Sequence, residues 1–361
     1  MNRRKHITTA RKPYFDHLNR SVIMVTIKEI AREAKVSPTT VSLILNNKSK
    51  ERKISALTEQ RVLQIAQRLG YLPNLQAISL KKGGGTFSYR ILIFWVADTR
   101  AQTMLRFFRG IEAAIERESL PFEVLLQSYR PGALRSAMKD ELLLSCHGIL
   151  VCNAAEEDLE YLEAGSFPRP LILYNRYSRK YSSVVMDDRS IGSIPGEIFA
   201  SHGKKHPAVV TTLPTFSGMS IRQNLFAYTC RSRDMDEPLV YCCEPTARSG
   251  YEKTLELLKA HPETDCILYM REGLALGSLR VFSELKIPFP GNLEFIAIGD
   301  SALDISEVCT PALSVVHLPL ETVASECTRL MHRQMHASGC GITSKVIPVT
   351  YISRESCPDQ I

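Results

Sequence analysis

Between Val36 and Asn47 the chain reads VSPTTVSLILNN, which gathers Ser37, Thr39, Thr40, Ser42 and Asn46 into one short stretch. Hydroxyl and amide groups of this kind bond phosphate oxygens and reach donors or acceptors on base edges, and the methylenes of Pro38 and Leu43 can meet a thymine methyl. Just beyond, NNKSKERKIS supplies Lys48, Lys50, Arg52 and Lys53, cations that would release counterions from a phosphate backbone. The exposed turns hold no Arg, Asn or Gln for a bidentate pair with guanine or adenine, so base reading by this segment should be modest. Pro38, Thr39, Ser42 and Leu43 then stand as base-edge candidates, and Ser37, Thr40 and Asn46 as phosphate contacts. The competing reading is a solvated charged loop beside a plain helical hairpin.

Elements that would position these groups are readable on either side. Thr26 precedes IKEIAREA with Glu29 three residues on, a capping box opening a helix whose Ile27, Ile30, Ala31 and Ala34 share a face. KVS makes a tight turn, Ser37 is a good N-cap, and Pro38 fits a first helical position, where its missing N–H costs nothing. The second helix should run to about Leu45, with Ala31, Val36 and Val41 in the contact between the two. A third should run from about Ala56 to Leu69, packing Val62, Leu63, Ile65, Ala66 and Leu69 on the first two, and Gly70 should end it. Two short helices on a tight turn in a basic region make a helix-turn-helix.

Charge separates this region from the rest. Residues 1–88 hold 17 Lys and Arg against 5 Asp and Glu, a net of +12; from totals of 45 and 38, the remainder holds 28 against 33, a net of −5. A basic head on a mildly acidic body outlines a nucleic-acid-binding module joined to something else.

From Tyr89 the pattern changes to strands alternating with helices: RILIFWV, MLRFFRGIEAAIERE, FEVLLQSY, a helix around Ala133 to Leu144, GILVC, PLILYN, SSVVMD and IGSIPGEIFASHG. A second series follows: PAVVTT, NLFAYTCRSR, PLVYCC, GYEKTLELLKAH, CILYM, ALGSLRVFSELK and FIAIG. Such alternation implies doubly wound parallel sheets, and about 270 residues of it is too much for one sheet, so two similar α/β lobes are expected. The expected divisions are 1–23, a flexible basic extension; 24–73, the helix-turn-helix; 74–88, a short helix and the Gly83–Gly85 linker; and 89–361, the bilobed core.

Several functions find no support. No apolar run reaches the roughly 18 residues of a membrane span, and no secretory signal core precedes Met24, so a cytoplasmic protein is expected. The ten cysteines are scattered without a CxxC pair, which suggests reduced thiols. Cys242 and Cys243 should point to opposite faces of a strand. His202 and His206 flank GKK at a helix end, an improbable metal pair. No GxSxG, HExxH or GxxxxGK appears, so neither an enzyme nor a cofactor is expected.

The order of parts resembles the lactose/galactose-repressor family of bacterial transcription regulators over residues 25 to about 355. TIKEIAREAKVSPTTVSLILNN looks like the family's DNA-binding start, and LGYLPNLQAISLKKG like its third-helix end and hinge. FFRGIEAAIE, VVMDDRSIG, SGYEKTLELL, ALGSLRVFSELKIPFPGNLEFIAIGD and TPALSVVHLPLETVA follow in the family's order. The resemblance implies an N-terminal three-helix headpiece on a bilobed, periplasmic-binding-protein-like α/β core. It implies a homodimer on a near-palindromic DNA operator, a repressor's action, and a sugar-like effector between the lobes. It also implies a hinge helix around Asn74 to Leu80 that forms in the minor groove, with Ala77 allowing close approach and Leu80 as an apolar wedge. Thr26 joins the DNA-contacting set, and Asp98, Met104, Asn175, Arg222 and Asp300 become effector candidates. Where the family has Asn-Asp, this chain has Arg271-Glu272, which adds Arg271 and leaves two readings open, a more anionic ligand or a pocket with weak or absent small-molecule control. Its glycine-aromatic pair is replaced by Leu225-Phe226. A solute-binding protein shares the bilobed body, but it would need an export signal and no basic headpiece.

Overall fold

The computed structural model describes residues 26–45, 49, 51–69, 88–97, 101–167, 169–299, 303–336 and 341–359. Residues Met1–Lys81 and Lys82–Ile361 form separate compact units.

In the first unit α1 (Ile27–Ala34) starts from a reciprocal cap: Glu29 N–H donates to Thr26 Oγ1 at 3.3 Å, and Thr26 N–H donates to Glu29 Oε2 at 2.7 Å. Lys35 turns left-handed at φ 51°, Val36 N–H reaches back to the Ala31 carbonyl, and α2 (Pro38–Leu45) begins at once. α3 (Ala56–Arg68) opens on a cap not anticipated from the sequence, Thr58 N–H to Ser55 Oγ at 3.2 Å. Ile30, Ala31, Ala34, Val41, Ile44, Val62 and Ala66 form the small core, with Val36, Leu45, Ile65 and Leu69 packed against it. The packing adds to one expectation and corrects another. Ile44, one turn from Val41, is fully buried beside it. Leu63 is 45% exposed: the buried stripe of α3 is 62, 65, 66 and 69, and the next residue after Val62 lies about 100° around the helix.

The second unit has two lobes, each a six-stranded sheet. In chain order come β1 (Tyr89–Val96), α4 (Ala101–Glu118), β2 (Phe122–Tyr129), α5 (Leu134–Ala137), α6 (Asp140–Ser145), β3 (Gly148–Cys152), α7 (Glu156–Ala164), β4 (Leu171–Tyr174) and β5 (Ser182–Met186). Then α8 (Asp188–Ser201), β6 (Pro207–Thr211), α9 (Ser217–Ser232), β7 (Leu239–Cys242), α10 (Ala247–Ala260), β8 (Cys266–Tyr269), α11 (Glu272–Glu284) and β9 (Glu294–Gly299) follow. The chain continues through α12 (Leu303–Val308), β10 (Ser314–His317), α13 (Leu320–His336), β11 (Ser344–Ile347) and β12 (Thr350–Ile352).

The first sheet runs β11-β5-β4-β3-β1-β2 and the second β12-β10-β9-β8-β6-β7, all parallel except β12 against β10. The chain therefore passes between lobes three times: after β5, after β10 and after β11. Central strands such as β3, β4 and β9 are buried along their whole length, as parallel strands covered on both faces must be. Instead of one helix around Ala133 to Leu144 there are two, α5 and α6. Met138 turns into the core to end the first, and Asp140 and Glu141 favour a fresh N-terminus for the second. The strands β10, β11 and β12 and the helices α7, α12 and α13 were not anticipated. Among the described residues no helix is long and apolar enough to cross a membrane, and the nine described cysteines are free thiols.

Candidate functional site

The edge of α2 presents Ser37, Pro38 and Thr39 to solvent, with Thr40, Ser42 and Leu43 half-buried behind them. Ser37 Oγ accepts the Thr40 N–H at 3.0 Å and lies 2.8 Å from Thr40 Oγ1. One hydroxyl hydrogen closes that pair and the other remains to donate outward. The group stands at a helix N-terminus, whose free N–H groups and dipole favour an anion. Thr26 is exposed as well, but its hydroxyl donates to Glu29 Oε2 at 3.0 Å. Exposed Arg52 and Lys53 follow in the basic loop. Asn46, Lys48, Lys50, Asn74, Ala77 and Leu80 lie outside the described residues.

In the body, the carboxyl ends of both sheets face one cavity of about 350 Å³. Its wall includes Thr103 from α4, Asn153 and Asn175 past β3 and β4, Arg222 of α9, and Glu244 and Arg271 past β7 and β8. Ligands bind open α/β sheets at this end of the strands. Asn153 and Asn175 both adopt left-handed backbone, at φ 56° and 60°, a conformation asparagine tolerates. Asn175 Nδ2 donates to Asn153 Oδ1 at 3.1 Å, and the buried Nδ2 of Asn153 has no partner of its own.

Arg222 is in this wall, but it is not the free clamp expected from the sequence. Its Nε and Nη2 both lie 2.7 Å from Asp188 Oδ1, and both side chains are buried. Two nitrogens of its fork are committed, and the charge is neutralised. Met104 is a further correction: it packs against the core, and the preceding Thr103 lines the cavity instead. The cause is helical rotation, since one step along α4 turns a side chain by about 100°. Arg271 is the residue before α11 and lines the cavity. Asp98 and Asp300 lie outside the described residues. Phe226, at the altered glycine-aromatic position, is buried against Phe199 with ring centroids 6.2 Å apart.

Contacts missed in the sequence join the lobes. The Arg176 guanidinium of the first lobe lies over the Phe216 ring of the second at 4.3 Å, with Arg222 5.5 Å from the same ring. Ser217 N–H, at the start of α9, donates to Glu156 Oε1 of α7 at 3.3 Å. The lobes thus touch at the mouth of the cavity. Helices α8 and α9 pack so closely that a Cβ at Gly192 would overlap the Arg222 carbonyl, which fixes the backbone carrying Arg222 beside that carrying Asp188.

Comparison with known proteins agrees with this architecture. Residues 26–74 match the profile of bacterial regulatory proteins of the lacI family, and residues 197–357 match a periplasmic binding protein-like domain. The HTH-type transcriptional regulator GalS of Salmonella typhimurium is 22% identical over 315 residues, covering 85% of this chain and 89% of its own. A LacI family transcription regulator from Clostridium acetobutylicum superposes with a TM-score of 0.70 at 25% identity, over 74% of this chain and all of its own. The lac repressor dimer, solved bound to operator and the anti-inducer ONPF, gives 0.66 at 18% identity over 93% of this chain and all of its own.

Proposed function

We propose that this chain, a transcription regulator belonging to the lacI family of bacterial regulatory proteins, binds a near-palindromic operator as a homodimer and represses from it. A small molecule held in the cavity between its lobes modulates that binding. The observation that carries the DNA reading is the exposed N-terminus of α2, where Ser37 and Thr40 hold each other and leave a hydroxyl hydrogen for a phosphate oxygen. Pro38 and Thr39 beside them face base edges, and Ser42 and Leu43 follow one turn on. With no long bidentate side chain on α2, part of the specificity falls to the segment carrying Asn74, Ala77 and Leu80. A single headpiece covers little DNA, so two half-sites are required.

The cavity supports a neutral polyhydroxylated effector, such as a sugar, in place of the more anionic one that Arg271 suggested. Asp188 balances Arg222, the wall carries Glu244 as well as Arg271, and the unpartnered Asn153 Nδ2 offers a donor to a hydroxyl oxygen. Ligand bound there strengthens the closed arrangement of lobes already bridged by Arg176–Phe216 and Glu156–Ser217, through the three chain crossings. Its effect on DNA affinity is the coupling free energy between the two sites.

The test is selection of bound sequences from a random duplex pool, followed by binding of the winner at rising salt with panels of neutral and acidic sugars. Enrichment of a palindrome and a shift with neutral sugars are expected. Failure to enrich any two-fold site would overturn the DNA reading, and a response to acidic sugars alone would overturn the effector class.

A further inference from the structure

The C-terminal end of α8 is closed by a left-handed glycine. Gly203 has φ +73°, its N–H bonds the Ala200 carbonyl, and Lys204 N–H bonds the Phe199 carbonyl. This cap turns His202 and Lys204 toward the first residue of β9, Glu294. Cys357 arrives from the end of the chain. His202 Nδ1 lies 2.7 Å from Glu294 Oε2, Cys357 Sγ lies 3.2 Å from the same oxygen, and Sγ and Nδ1 are 3.8 Å apart.

We propose that His202, Glu294 and Cys357 form a binding site for one thiophilic divalent transition-metal ion of the zinc class. Bond lengths of about 2.0–2.2 Å to nitrogen and oxygen and about 2.3 Å to sulfur put tetrahedral donor–donor edges at roughly 3.3–3.6 Å. The two edges to sulfur already lie near that range. The nitrogen–oxygen edge is shorter because a hydrogen sits between the atoms, and it opens when the ion replaces that hydrogen. Imidazole, carboxylate and thiolate make a mixed N, O, S donor set that suits zinc or cobalt and not the hard cations magnesium and calcium.

The surroundings are those of a held site. All three side chains are almost fully enclosed. The Cys357 backbone is fixed by its N–H to Ser314 Oγ at 3.1 Å and by the Ser314 hydroxyl to its carbonyl at 3.0 Å. Lys204 Nζ lies 3.3 Å from Glu294 Oε1, which occupies that oxygen and leaves Oε2 for the ion. On binding, the Cys357 S–H bond breaks and its proton leaves to solvent. The hydrogen between Nδ1 and Oε2 also leaves to solvent while Nε2 takes one up, so the imidazole stays neutral and binds through the Nδ1 lone pair, and no electrons are transferred. Three protein ligands leave a fourth position to water. Because α8 runs from Asp188, the partner of Arg222 in the cavity wall, to this site, the ion would anchor the far end of that helix, roughly 20 Å away.

The untagged full-length chain, stripped with a chelator, is titrated with cobalt(II) and then zinc(II). One equivalent of cobalt should give a sulfur-to-cobalt charge-transfer band with tetrahedral d–d absorptions, displaced by one equivalent of zinc. Cys357→Ser should remove the band, and His202→Gln should weaken binding by more than roughly tenfold, the least that loss of even an outer-shell partner costs a metal site. Cys242→Ser/Cys243→Ser, which alters the neighbouring thiol pair elsewhere in the lobe, should leave both readouts unchanged. Absence of the band from the unaltered chain overturns the proposal whether or not a variant folds. So does a band that survives Cys357→Ser in a folded protein, or one lost with Cys242 and Cys243.

Discussion

Arg222 in the wall of the interlobe cavity meets Asp188 at 2.7 Å, on neighbouring helices whose backbones nearly touch at Gly192. Removing one partner leaves the other charge buried and unpaired, which costs far more than the pair itself contributes. Asp188→Ala should lower unfolding free energy by about 3 kcal/mol, read as a shift of the urea midpoint. Adding Arg222→Met should recover much of the loss. Strictly additive losses in the double variant would show that the two side chains do not act as a pair.

At the start of α2, stability and the proposed recognition should separate. Ser37→Ala removes the cap that holds Thr40 N–H and should cost about 1 kcal/mol of headpiece stability along with DNA affinity. Thr39→Ala touches no bond within the fold and should stay within about 0.5 kcal/mol, while changing the preferred bases in a selection experiment. An equal loss of affinity for every sequence, with the selected sequence unaltered, would reassign it to phosphate.

For Leu80, the reading as a minor-groove wedge makes a different prediction. Leu80→Ala should weaken binding to the selected operator far more than binding to random duplex, as measured side by side at one salt concentration. Equal losses on both would remove the wedge assignment.

His147 offers a pH test. Its Nδ1 accepts the Arg90 N–H at 2.9 Å; burial, then the charges of Arg169 and Arg90, depress its pKa to about 4. In the unfolded chain an imidazole takes its proton near pH 6.5, so the unfolded state gains protons first as pH falls. The stability tied to neutral His147 is complete above about pH 6.5 and is lost as pH falls toward about 4. His147→Gln, which keeps an acceptor but cannot charge, should show a smaller drop in Tm between about pH 7 and about pH 5 than the unaltered chain. An identical drop would locate the acid sensitivity elsewhere.

Local chemistry was legible in the sequence, and distant partnership was not. The Thr26–Glu29 box and the Ser37–Pro38 start of α2 are properties of three or four adjacent residues, and the structure forms both. Alternating apolar strands and amphipathic helices announced two parallel-sheet lobes for the same reason. Leu63 shows the limit at short range: hydrophobicity placed it inside, while the geometry of a small three-helix contact left no room for a wider stripe. Within the cavity, Arg222 was found by position, but its neutralisation by Asp188, 34 residues earlier, depends on how two helices pack. The same holds for Asn153 against Asn175 and for Phe216 under Arg176. His202 shows it most plainly: the neighbour judged from spacing was His206, whereas the groups beside it come from 92 and 155 residues away.

The tail of the chain supplies β11 to the first sheet and β12 to the second. A message truncated by a premature stop after α13 would therefore yield a protein with a raw edge on both lobes, not one sound lobe and one damaged. Each edge would expose unpaired backbone groups open to pairing with other chains. Such a product is expected to aggregate or be degraded whole, so late nonsense mutations should behave as complete losses and should not leave a DNA-binding fragment that competes with the intact regulator.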